Sequence, residues 1–149
     1  MKILLALDSF KGSMTAHEAM EAFAMGVREV VPDVTIDSVA VSDGGDGLLG
    51  SLSAVLADRG FTERTVTVTG PYGRSVQARY LIKGATAVLE MAQASGLVLA
   101  DPSQRRTLYA SSVGTGEMML DAIGAGATSL ILGLGGSATN DLGLGAMQA

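Results

Sequence analysis

Twice within its first sixty residues the chain runs from a strand-like stretch through a short loop of glycine, serine and aspartate into an amphipathic helix. The first unit is "KILLAL" (Lys2–Leu7), the loop "DSFKGSM", and a helix opening at Thr15. The second is "TIDSVAV" (Thr35–Val41), the loop "SDGGDG", and the helix "LLGSLSAVLADRG", closed by Gly60. An apolar run without alternation, such as Lys2–Leu7, is expected of a strand buried on both faces of a parallel sheet. Two successive strand–helix units with short connections imply parallel strands and right-handed crossovers. The first helix carries its own start signal, Thr15 with Glu18 three residues on, a capping box. Ala16, Ala19, Met20, Phe23, Val27, Val30 and Val31 follow at helical spacing, and Pro32 lies beyond the end. His17, Glu18, Glu21 and Arg28 fall on the opposite, solvated face.

The pattern changes near Thr62. "ERTVTVTG" alternates with period two, "GPYG" (Gly70–Gly73) signals a turn, "RSVQARYLI" alternates again, and "ATAVLEMA" follows after "KG". This predicts an antiparallel meander and a domain boundary at about residue 65. Beyond it come a loop "VGTG" (Val113–Gly116), a helix "EMMLDAIGAG" with Met118 and Met119 in the core, and a strand "SLILGL". Its apolar run Leu130–Leu134 is also expected to be buried on both faces. The fold class is therefore α/β: a Rossmann-like parallel sheet domain over residues 1–65, and a second α/β domain containing the meander over residues 66–149.

Composition narrows the function. Of 149 residues, 48% are hydrophobic and 17% charged, so a packed core is expected; aromatics are only 4%, which leaves that core to Ala, Val, Leu, Ile and Met. The net charge is −5 and Arg105–Arg106 is the only adjacent basic pair, which argues against nucleic-acid binding. There is no cysteine, so disulfides and thiolate metal sites are excluded, and His17 alone cannot build a histidine site. The apolar run before Asp8 is too short for a signal or a membrane span, so a cytoplasmic protein without a membrane partner is expected.

In parallel α/β sheets ligands bind at the carboxyl ends of strands, and helix N-termini suit anions. Four loops qualify: Asp8–Ser13, Ser42–Gly47, Val113–Gly116 and Gly135–Asp141. In "GLGGSATND", Gly133, Gly135 and Gly136 allow close backbone approach to a phosphate. Ser137 and Thr139 add hydroxyls, and Asn140 and Asp141 suit Mg²⁺ or a nucleophile; the alternative is a tight turn with capping side chains. Lys11 can reach a phosphate or carboxylate as a mobile charge, or be merely solvated. Asp43 and Asp46 repel each other unless a cation or donors lie between them; alternatively Asp46 caps the following helix and Asp43 shapes the turn. "GLGGSA" matches the dinucleotide pattern G-x-G-x-x-A only weakly, and the Lys-Ser/Thr pair of a P-loop is absent. "GLGGSAT" also resembles the phosphate loop of GHMP-type small-molecule kinases.

Taken together, "LALDSFKGSMTA", "VSDGGDG", "LEMAQASGL", "SVGTGE" and "GLGGSATND" resemble, in order and spacing, the bacterial glycerate kinases of the two-domain type, over essentially the whole chain. The resemblance implies transfer of the γ-phosphoryl group of ATP to D-glycerate with Mg²⁺, commonly giving 2-phosphoglycerate. It also implies two α/β domains, the second inserted into the first, with the active site in the cleft between them; a homo-oligomer is left open. Where the family usually has Glu and Thr, this chain has Asp46 and Leu48, and Leu142 and Leu144 stand where small residues are usual. The chains of the family are longer, so residues 1–149 are expected to be an N-terminal part that is not a competent kinase alone. Residue chemistry then assigns Lys11, Asp43 and Asp141 to catalysis, with Asp141 and Asp43 on Mg²⁺. Gly135, Gly136, Ser137, Thr139 and Asn140 are assigned to the ATP phosphates. Asp8, Ser9, Gly44, Gly45, Asp46, Ser95, Gly96, Thr115 and Gly116 are assigned to the substrate cleft. The non-enzymatic alternative is an anion-binding α/β module, which has no use for carboxylates at its rim.

Overall fold

The computed structural model describes residues 1–10, 12–104 and 106–149. Two sheets organise it. β1 (Lys2–Leu7) and β2 (Thr35–Ala40) pair in parallel, in register from Lys2 opposite Thr35 to Leu7 opposite Ala40. α1 (Ala16–Val30) connects them, and its capping box forms: the Glu18 N–H donates to Thr15 Oγ1 at 3.3 Å and the Thr15 N–H to Glu18 Oε2 at 2.7 Å. Met20 and Ala24 of α1 pack on Leu5, flanked by Ile3, Leu7, Ile36 and Ala40. The other face of this sheet is open. Leu4 is 65% exposed, so the expectation that Lys2–Leu7 is buried on both faces is corrected: one helix covers one face only. Phe23 and Val30 are exposed as well, because a two-stranded sheet is too narrow to cover the whole apolar stripe of α1.

α2 (Leu48–Ala57) follows, and the second sheet begins after it. β3 (Thr62–Thr69), β4 (Ser75–Lys83) and β5 (Thr86–Glu90) form the antiparallel meander. α3 (Ala92–Ser95) and α4 (Val113–Gly124) then lead to β6 (Ser129–Gly133), which pairs in parallel with β5 in the order β3-β4-β5-β6. α5 (Leu144–Gln148) is the last element. The expected junction at residue 65 lies inside β3, which is one unbroken strand. α2 belongs by packing to the second sheet: Leu49, Leu52 and Leu56 meet Leu81, Val88 and Phe61 on one face. On the other face Met118 and Ala122 of α4 meet Val68, Ala78, Tyr80, Ile82, Ala87 and Leu89.

Two further expectations are corrected. "VGTG" is not a loop but the first turn of α4; its two glycines are needed because Gly114 packs on the backbone of Thr69 and Gly116 on that of Ala146. The run Leu130–Leu134 is covered on one side only. β6 is the edge strand, met by α2 through Leu48 at its last residue Gly133, and Ile131 is 56% exposed while Leu130 and Leu132 join the α4 core. Among the described residues no helix is long and apolar enough to cross a membrane.

Candidate active site

Three loops leave the carboxyl ends of strands and meet. The loop after β1 reaches the loop after β2 through Ser9, whose Oγ donates to the Asp46 carbonyl at 3.4 Å. The loop after β2 reaches the loop after β6 through the Gly135 N–H, which donates to the Gly44 carbonyl at 3.1 Å. Here the backbones touch: a side chain on Gly133 would meet the Gly44 carbonyl oxygen at 2.5 Å, and one on Gly135 would overlap the Cα of Gly45. The loop after β6 is tied in turn to α3 and the segment after it. Ala138 N–H donates to Ser95 O at 2.9 Å, and Leu97 N–H to Gly136 O at 2.8 Å.

Each sequence-assigned residue has a definite place in this arrangement. Asp43 is exposed, and its Oδ1 accepts the Gly45 N–H at 2.8 Å, so it shapes its own turn. Asp46 is half-buried and lines a cleft of about 540 Å³ bounded by Ser9, Thr15, Ala16, Glu18, Gly47 and Ser51, a volume within the range of small-ligand sites. Asp46 does not cap α2. Asp8 accepts the Ser9 N–H at 2.7 Å. Ser137 and Thr139 share a hydroxyl hydrogen bond of 2.8 Å, and the Thr139 N–H donates to Ser137 Oγ at 3.0 Å. Gly136 lies against Asp46, and Gly96 pairs with Ser137 as an isolated bridge. Asn140 is exposed. Lys11 lies outside the described residues.

Three of the assigned residues are turned inward rather than toward the cleft. Ser95 and Thr115 are buried and share a 2.8 Å hydroxyl hydrogen bond that joins α3 to α4, and Gly116 packs under α5.

Asp141 is engaged on both oxygens. Oδ2 accepts the Ser112 N–H at 2.7 Å, Ser112 Oγ at 2.8 Å and the Gly145 N–H at 3.2 Å, and Oδ1 accepts the Gly143 N–H at 3.2 Å. Burial pushes its carboxyl up, but the donors from Ser112, Gly143 and Gly145 outweigh it and hold Asp141 below the usual carboxylate value. The geometry is that of a clamp between the starts of α4 and α5.

The cap of α2 comes from a residue the motif reading passed over. Glu90, the last residue of β5, is completely buried. Its Oε1 accepts the Gly47 N–H at 3.1 Å and its Oε2 the Leu49 N–H at 2.9 Å. Ser112 was missed too; its Oγ also accepts the Ala146 N–H at 3.0 Å. For Glu90 a signal existed: a charged residue closes the otherwise apolar strand "TAVLE".

No cluster of three or more His, Cys, Asp or Glu side chains of metal-holding geometry occurs among the described residues. Magnesium at phosphoryl-transfer sites asks for less, one or two carboxylates with phosphates and water completing the shell. Asp46, which lines the cleft, fits that requirement, and Asp43 stands three residues earlier in the same glycine-rich loop. Asp141, with its four donors, does not.

The profile of the glycerate kinase family matches residues 3–149. The glycerate 2-kinase of Escherichia coli K12 is 47% identical, covering 100% of this chain and 39% of that protein. The glycerate kinase of Bacillus subtilis strain 168 is likewise 47% identical, covering 100% of this chain and 39% of its own length. A crystal structure from Salmonella typhimurium LT2 aligns with a TM-score of 0.72 at 42% identity, covering 100% of this chain and 40% of that one. The chain thus spans about 39% of the length of the curated relatives it matches.

Proposed function

This chain belongs to the glycerate kinase family, and from that premise we propose that it serves the transfer of the γ-phosphoryl group of ATP to the 2-hydroxyl of D-glycerate. The observation that carries the reading is the family match over residues 3–149, with the motif loops of that match converging on one another in space. The choice of the 2-hydroxyl is supported by the name of the E. coli relative, a glycerate 2-kinase.

Phosphoryl transfer asks a protein for positioning and charge stabilisation more than for covalent chemistry. The loop after β6 brings glycine backbone close to the loop after β2, and its amides are the proposed phosphate cradle. Within it the Gly135 and Ala138 N–H groups tie the loop to Gly44 and Ser95, and the Thr139 N–H bonds Ser137, so the cradle falls to the amides of Gly136 and Ser137. Asp43 and Asp46 would hold Mg²⁺, which when bound neutralises phosphate charge, and either carboxylate can orient the glycerate hydroxyl. Lys11 is assigned, by its chemistry, to a phosphate or to the glycerate carboxylate. Asp141 is assigned to positioning: it ties the loop after β6 to the start of α4.

The test is ADP release by the full-length gene product over a panel of short hydroxy acids, with the product resolved by phosphorus NMR. Turnover with D-glycerate giving 2-phosphoglycerate is expected. Turnover with sugars or mevalonate-like alcohols and none with glycerate would transfer the reading to GHMP-type chemistry. Calorimetric nucleotide binding without turnover on any acid would make the chain an anion-binding module.

A further inference from the structure

We propose that Glu90 is a positioning residue for the Ser42–Gly47 loop, acting as a built-in anion at the start of α2; this rests on the kinase reading above. The N-terminus of a helix presents free N–H groups and a partial positive charge, and would ordinarily be a candidate phosphate site. At α2 that place is already taken. The Glu90 carboxylate meets the N–H groups of Gly47 and Leu49 from below, out of contact with solvent. Phosphate is thereby directed away from α2 and toward the glycine loop after β6.

Glu90 does more than fill a cap. Gly47 stands at φ +95, a left-handed conformation that ends the loop abruptly, and its N–H points to Glu90. Asp46 immediately precedes it, with its carbonyl tied to Ser9 and its side chain on the cleft. Asp43 is held three residues earlier by its own turn and by the Gly44–Gly135 hydrogen bond. The loop is therefore pinned at its middle by Gly135 and at its end by Glu90. Its two carboxylates project from a backbone with both anchors on the second sheet. β5 and β6 run in parallel here, Glu90 opposite Gly133, so the two anchors leave adjacent strand ends. That places the rims of the cleft in fixed register with the proposed phosphate loop.

The decisive variant is Glu90→Gln in the full-length gene product. The amide keeps one acceptor but turns an NH₂ toward a backbone N–H, so one of the two hydrogen bonds is replaced by a donor–donor clash. Losing a hydrogen bond to a charged group costs roughly 1.5–3 kcal/mol, equivalent to about 10–100-fold when it is felt in the transition state. The expected result is a fall of about tenfold or more in kcat/KM for glycerate. Hydrogen exchange at Gly47 and Leu49 should accelerate while that of α4 stays slow. Val88→Ala is the control. It weakens the same α2 packing without touching the loop, and should lower the melting temperature while leaving KM for glycerate unchanged. Glu90→Asp, one methylene shorter, cannot reach both donors and should fall between wild type and Gln; it replaces Gln if that variant does not fold. Wild-type glycerate kinetics with unchanged exchange at Gly47 and Leu49 overturns the proposal. So does a kinetic loss in the Glu90 variant that Val88→Ala reproduces at equal destabilisation. If the wild-type protein ignores glycerate while exchange at Gly47 still accelerates in the variant, the functional reading fails and the positioning role stands.

Discussion

Asp141 shows how a residue can be legible in the sequence while its task is not. Its place in a polar loop before a helix suggests a metal ligand, yet in the structure four donors converge on it from Ser112, Gly143 and Gly145. Neighbours in sequence announce Gly143 and Gly145, but nothing local announces Ser112, twenty-nine residues away. Because these donors hold the folded-state pKa below the unfolded value, the Asp141 contribution to stability is present above the unfolded pKa, near 4. It is lost as pH falls through the lower, folded-state value. Asp141→Asn should therefore destabilise the protein by about 1–3 kcal/mol at neutral pH. The gap from wild type should close progressively below about pH 4. Denaturant melts of both proteins at several pH values check this; a gap that is constant down to the acid limit would show that charge plays no part in the clamp. Glu90 is the converse case, a functional-looking carboxylate hidden in a strand pattern because burial and a partner distant in sequence define its role. Lys11, the one proposed cation of the site, is tested kinetically. Lys11→Ala should raise KM for ATP or glycerate several-fold while changing stability by no more than about 0.5 kcal/mol. Unmoved kinetic constants would make it a solvated lysine.

At the scale of elements, what local pattern specifies was readable and what sheet context specifies was not. The capping box at Thr15 and Glu18, the meander of β3 to β5 and the glycine closure of α2 follow from side-chain chemistry within a few residues, and each is present. The Phe61 N–H returns to the Leu56 carbonyl at 3.0 Å around Gly60 at φ +83, a left-handed stop that only glycine adopts freely. The faces of β1 and β6 were misjudged, because the same apolar run suits a central or an edge strand, and strand order is not a local property. Nor could pattern show that α2 crosses from the first sheet to cover the second. The approach to α5 carries a local conflict of its own. Leu142 is the only described non-glycine residue with positive φ, at +57, and it is 91% exposed, so it gains no burial in exchange for the strain. Small residues are usual there in the resembled family. A left-handed conformation costs a residue with a Cβ about 1–2 kcal/mol, offset in part by the extra freedom glycine has when unfolded. Leu142→Gly should thus stabilise the chain by up to about 1 kcal/mol, read as a higher denaturant midpoint at unchanged slope. A lower midpoint would mean that Leu142 is held by contacts worth more than its strain.

For the whole molecule the distribution of apolar surface decides behaviour. The second sheet has a helix layer on each face and a core of Tyr80, Leu89, Met118 and small residues at or near zero exposure. The first sheet has α1 on one face and, on the other, a surface that begins with a Lys2–Asp37 ion pair at 2.7 Å and continues into exposed Leu4 and Val39. An exposed ion pair of this kind contributes little, because water and salt screen it, so it does not compensate for uncovered apolar strand. Leu134 and Ile131 at the edge strand, and Leu142, Leu144 and Met147 around α5, add further exposed apolar side chains. Single exposed apolar residues are ordinary, but apolar side chains gathered on one open sheet face and along an edge strand favour association. Residues 1–149 expressed as such are therefore expected to bind a hydrophobic dye and to sediment as concentration-dependent oligomers. The second sheet, with both faces covered, should resist hydrogen exchange longer than β1 and β2. Replacing Leu4 by Lys and Val39 by Thr, both on the open face of the β1–β2 sheet and neither in the α1 core, should reduce dye binding and shift the chain toward monomer at little cost in stability. The same two changes in the full-length gene product distinguish a free face from a covered one. There, unchanged stability would show that the face stays open, and a loss of about 2 kcal/mol or more, the scale of disturbing a buried apolar site, would show that other parts of the polypeptide cover it. A chain of 149 residues that sediments as a monomer at all concentrations, binds no dye and melts in one sharp transition would overturn the expectation, because it would mean that the α1 unit is stable with its sheet bare.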